Sequence, residues 1–65
     1  MSDNLDRAHF TIRALEALAL GHYHTRTCSP RNCRLAAQAI TGQKFQSHDY
    51  AGMINALKGW IHENL

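Results

Sequence analysis

The thirteen residues from His22 to Arg34 (HYHTRTCSPRNCR) hold two histidines, two cysteines and three arginines, and no acid. Three kinds of chemistry can be asked of such a set. Zinc comes first, since it is held by four cysteine or histidine ligands in a tetrahedron. His22, His24, Cys28 and Cys33 are four such ligands within twelve residues. Their spacing permits zinc without pointing to it. Four residues separate the cysteines and one separates the histidines, which is not a diagnostic zinc pattern. Cys33 also falls on the apolar stripe of a predicted helix, where a free cysteine behaves as a small hydrophobe. Turned inward, it leaves the fourth ligand missing. The expectation is no bound metal and no cofactor.

Anion binding is the second chemistry. Thr25, Thr27, Ser29 and the first amides of the helix that follows can donate hydrogen bonds, and helix N-termini attract phosphate. Arg26, Arg31 and Arg34 add charge in a form that matches phosphate geometry, and Lys44 extends the basic stretch. This set is the candidate anion or nucleic-acid site. CRLAAQAITG has the texture of the first helix of a helix-turn-helix. However, the following GQKFQSHD is longer than the three or four residues of the usual turn.

Catalysis is the third and has least support. A thiol at Cys28 beside His22 or His24 can be activated by imidazole and helix terminus together. A chain of 65 residues has little material to enclose a substrate. No phosphate loop, paired-carboxylate arrangement or Ser/His/Asp set is present. The expectation is a protein that is not an enzyme.

Caps and periodicity locate the elements that position these residues. Helix 1 is predicted over about 5–20, with Ser2, Asp3 or Asn4 as caps and Gly21 as its stop. It carries two apolar stripes. One is Leu5, Ala8, Ile12, Leu15 and Ala19; the other, nearly opposite, is Phe10, Ala14, Ala17 and Leu18. A surface helix needs one stripe, so two imply burial on both sides. Helix 2 is predicted over 30–41, from the Ser29 cap and Pro30 at the first helical position to Gly42. Its inward face is Cys33, Ala36, Ala37 and Ile40, at helical spacing. Helix 3 is predicted over 48–64, capped by Ser47, with Phe45 folded back on its first turn. Its apolar face is Tyr50, Met53, Ile54, Leu57, Trp60 and Ile61, and Gly52, Ala56 and Gly59 line the other side. No segment alternates like a strand.

The fold class is therefore all-α: one small domain of three helices, forming a bundle or helical hairpin completed by self-association. A domain this small has a marginal core, and a partner is one way to supplement it. Phe10, Leu18, Tyr50 and Trp60 are the predicted interface residues, with Trp60 the foremost because aromatic side chains bring large apolar area.

Composition sets the remaining bounds. The hydrophobic fraction is 45%, which is ordinary for a folded chain. The start, MSDNLDRAHF, has acids where a secretory leader would be basic, and no apolar run is long enough to span a bilayer. Cytoplasmic location is expected, and with it reduced thiols, so that a Cys28–Cys33 disulfide is not expected. No acid lies between Glu16 and Asp49, an interval holding Arg26, Arg31, Arg34 and Lys44, for a local charge of +4; three bases and five acids outside it sum to −2, giving the net +2. The expectation is a small accessory or regulatory protein that acts by protein–protein contact as a homodimer; its short, helical, motif-poor character is in the style of a phage, plasmid or bacterial-operon accessory protein, though no residue pattern carries that part. The alternative is a nucleic-acid-binding regulator using the basic segment 22–44.

Overall fold

The structure, a computed structural model, describes residues 3–21 and 29–65. It comprises α1 (Asp3–Ala19), α2 (Pro30–Thr41) and α3 (Tyr50–Glu63), with no strand among the described residues. The all-helical, three-element reading of the sequence therefore holds. None of these helices is long and apolar enough to cross a membrane.

α2 begins and ends where local chemistry dictates. The Ser29 hydroxyl accepts from the Asn32 amide at 3.2 Å, and the Ser29 carbonyl accepts from the Cys33 amide at 2.9 Å. Pro30 fills the first helical position, where no amide is needed. At the other end Gly42 takes the left-handed conformation, φ 73°, and donates to the Gln38 carbonyl at 2.9 Å. A side chain there would meet its own backbone. The chain is then turned by side chains: Thr41 Oγ1 accepts from the Gln43 amide at 3.2 Å, and Gln38 Oε1 accepts from the Phe45 amide at 3.0 Å. Phe45 is thereby placed against the core.

α3 starts two residues later than its sequence suggests. Its cap is Asp49, not Ser47: the Asp49 carboxylate accepts from the Gly52 amide at 3.1 Å. The physical reason is competition between caps. A carboxylate at the positive end of the helix dipole outdoes a hydroxyl two residues earlier. This choice also explains Gly52. A β-carbon at that position would collide with the Asp49 carboxylate, so the absence of a side chain leaves room for the cap.

α1 buries one broad arc. Ala8, Thr11, Ile12, Ala14, Leu15 and Leu18 are all buried, and Leu5 packs at the margin. At 100° per residue these positions sweep about 180° of the helix surface. Such a width needs two companions, and α1 packs on both α2 and α3. The expectation of two opposed stripes is corrected here. Ala14 and Leu18 belong to the core arc, three residues after Thr11 and Leu15; of the second stripe only Phe10 and Ala17 remain outside it. Thr11 is the one buried polar side chain among the described residues, and its hydroxyl donates to the Arg7 carbonyl at 2.6 Å.

The core joins all three helices. Leu15 and Leu18 of α1, Cys33 and Ala37 of α2, and Met53, Leu57 and Ile61 of α3 form one buried cluster. Ile40, Tyr50, Ile54 and Trp60 close its edges. The predicted inward face of α3 is the observed one, and so is that of α2 except for Ala36, which is half-buried and outside the cluster.

One expectation about this core is overturned. Cys33 is fully buried, as its place on the stripe required, but it is disulfide-bonded rather than a free thiol. The sequence contains one other cysteine, Cys28, which lies outside the described residues. A small domain with a marginal core gains most from such a covalent supplement.

Candidate interaction surfaces

Three parts of the surface bear on function: the outward side of α1, the outward side of α2 with the turn beyond it, and the edge of α3 around Trp60.

The outward side of α1 carries Asp3, Asp6, Phe10, Arg13 and Ala17, spaced alternately three and four apart. All are exposed except Ala17, which is half-buried. Phe10 stands 50% exposed in the middle of a helix whose other large apolar side chains are covered. None of Asp3, Asp6 and Arg13 has an ion-pair partner within the described chain. The other predicted interface residues are placed differently. Leu18 is only 2% exposed and belongs to the core, because α2 and α3 together cover its side of α1; it offers no surface in the folded chain. Tyr50 and Trp60 are half-buried against the core. Tyr50 stands edge-on to His48, with ring centres 6.1 Å apart. Trp60 lines a small groove with Thr41, Gln43, Ala56, Gly59 and Glu63.

Within that groove Gly59 itself is uncrowded: a β-carbon there would find no atom of the described residues within 4 Å. Gly59 is therefore an open surface position, whereas Gly52 is filled by its own cap.

The basic face belongs to α2. Arg31 and Leu35 are exposed one turn apart, Arg34 is half-buried beside them, and Lys44 is exposed in the following turn. No acid occurs on α2 or in the turn before Asp49. Arg34 forms one wall of an open cleft whose other side is Gln46, Ser47, His48 and Asp49 at the start of α3. Arg31, Arg34 and Lys44 thus come from one continuous part of the fold. Arg26, the fourth predicted base, lies outside the described residues.

Of the four side chains weighed as zinc ligands, only Cys33 lies among the described residues. The Cys33 sulfur is committed to a disulfide and cannot serve as a thiolate ligand. His22, His24 and Cys28 lie outside the described residues. No group of three or more metal-binding side chains occurs among the described ones.

Sequence reasoning missed two features of these surfaces. One is the isolation of Phe10: periodicity put it on a stripe with Ala14 and Leu18, and only the width of the core arc separates them. The other is Leu35, which sits at helical spacing from Arg31 on the outward face of α2, 45% exposed. Its distance from the Cys33–Ala37 stripe was the available signal. No protein-family model matches the chain, and no curated protein or solved structure matches it.

Proposed function

We propose that the protein is a non-enzymatic helical regulator that acts through protein–protein contact as a homodimer, using α1 to join two copies and the basic face of α2 to engage an acidic protein partner. The observation that carries this reading is Phe10: a large aromatic side chain, half in solvent, at the centre of a helix that otherwise buries its apolar residues. Aromatic side chains of this kind anchor interfaces because they bring large apolar area at low entropic cost. The acid-free run from α2 to Lys44 supports the second half of the reading, since charge complementarity steers and selects partners. Leu35, one turn beyond Arg31 on the same exposed side, adds an apolar contact to the charged ones.

The test has two arms. Light scattering on the purified chain reads the dimer. A pull-down from cell extract, with and without nuclease, reads the partner: a protein retained after nuclease, and lost when Arg31 and Arg34 are both changed to Glu, is the expected result. Loss of all bound material on nuclease treatment, or equal retention by the charge-reversed variant, contradicts it.

The same basic residues favour a second reading, binding of nucleic acid. It predicts affinity that falls steeply with added salt, because phosphate contacts release counterions. Absence of binding to DNA and RNA at low salt removes it.

A further inference from the structure

We infer that two copies pair through α1 in antiparallel orientation about a two-fold axis beside Phe10, with Asp6 of each copy ion-paired to Arg13 of the other. This rests on the homodimer reading above and specifies its geometry.

The inference follows from the positions of the exposed residues. Asp6, Phe10 and Arg13 lie within about 60° of one another around α1, at 100° per residue. Asp6 is three and a half residues before the point midway between His9 and Phe10, and Arg13 is three and a half residues after it. At 1.5 Å rise per residue, each is about 5 Å along the axis from that point. A two-fold axis through it, perpendicular to both helices, reverses the direction of the second copy. It therefore brings Asp6 level with Arg13 of the second copy, and Arg13 level with the second copy's Asp6. The axis also preserves lateral side. Asp6 and Arg13 sit on one edge of the stripe and meet there twice; Phe10 sits on the other edge and meets Phe10 of the second copy. Such a contact is isologous and closed, so it stops at two copies.

Three features fit this occupant. The side chains that would pair are exposed, and none has an ion-pair partner within the described chain. The stripe has the alternate three-and-four spacing that keeps one helix seam against another. Ala17, next on the stripe, falls about 11 Å from the axis, level with the position just before α1 of the second copy, so no bulky side chain of that helix opposes it. The parallel alternative brings Asp6 against Asp6 and Arg13 against Arg13, which like-charge repulsion disfavours.

The test uses two single charge reversals, Asp6→Arg and Arg13→Glu, followed by sedimentation of each alone and of their equimolar mixture. Alone, each variant places like charges at both contacts, and its self-association is expected to weaken about tenfold or more. Mixed, the two variants present opposite charges at both contacts, and a heterodimer is expected to regain wild-type affinity. Both positions are exposed, and far-ultraviolet circular dichroism checks that each variant is folded. If one reversal unfolds the chain, Phe10→Ser takes its place and must abolish association. A wild type that dimerises while both reversals dimerise equally well overturns this arrangement and leaves the homodimer standing. A wild type that stays monomeric at submillimolar concentration overturns both.

Discussion

The two sides of α1 are built from the same kinds of residue and do opposite things. On the inward side Leu15 and Ala8 are wholly buried, with Ile12 and Leu18 nearly so, packed on both α2 and α3. On the outward side Phe10 stands half in solvent between Asp6 and Arg13. The difference shows that apolarity alone does not assign a residue to the core of a small domain. What assigns it is the arc that the companion helices can cover. Here that arc is about half the circumference, and Phe10 falls just beyond it.

Substitutions on the two sides should therefore part company. Leu15→Ala empties a site at the centre of the cluster and is expected to cost about 2–5 kcal/mol, enough to unfold a domain with a marginal core. Urea unfolding followed by circular dichroism measures it; a loss under 1 kcal/mol, roughly the scale of an ordinary surface change, would place Leu15 outside the core.

The inward side of α2 is held by the disulfide at Cys33 as well as by packing. A native disulfide in a small domain contributes about 2–4 kcal/mol. Reduction is expected to lower the melting temperature while leaving the chain helical, because the remaining cluster does not depend on sulfur. Thermal melts with and without dithiothreitol decide this. Identical melts would remove the disulfide as a stabilising element.

On α3 the contrast between covered and open positions is sharpened by its two glycines. Gly59→Ala meets open space and is expected to gain roughly 0.5–1 kcal/mol from helix propensity. Gly52→Ala displaces the Asp49 cap, a loss of about 1 kcal/mol that cancels the propensity gain, so no net stabilisation is expected. A gain at Gly52 as large as that at Gly59 would contradict the assigned cap.

The smallest stability effect belongs to the outward side of α1. Phe10→Ser is expected to change the unfolding free energy of the single chain by no more than about 0.5 kcal/mol, while removing the contact between copies. Denaturant titration in dilute solution isolates the first quantity from the second.

Much of the fold was legible in the sequence, and the parts that were not have identifiable causes. α2 was readable end to end because Ser29, Pro30 and Gly42 are strong local signals that nothing contests. The start of α3 was not, because Ser47 and Asp49 are both competent caps and the winner depends on the room that Gly52 leaves. The inward faces of α2 and α3 followed from spacing. Leu18 was misplaced on an outer stripe because the width of a buried arc is set by how companion helices lie, which periodicity within one helix does not encode. The disulfide at Cys33 is not legible in the sequence, where an expected reducing compartment argues against it and only the small size of the domain argues for a covalent tie. Of the candidate surfaces, the basic run could be read directly from charge, whereas the singling out of Phe10 required the packed core.

The central claim is that the Phe10 side of α1 mates two copies of the chain, and the most direct measurement is the solution mass of the wild type beside that of Phe10→Ser under identical conditions. The account predicts a wild type of about twice the 7.3 kDa chain mass and a folded variant of one chain mass. Equal masses for the two proteins, whether single or double, would contradict it.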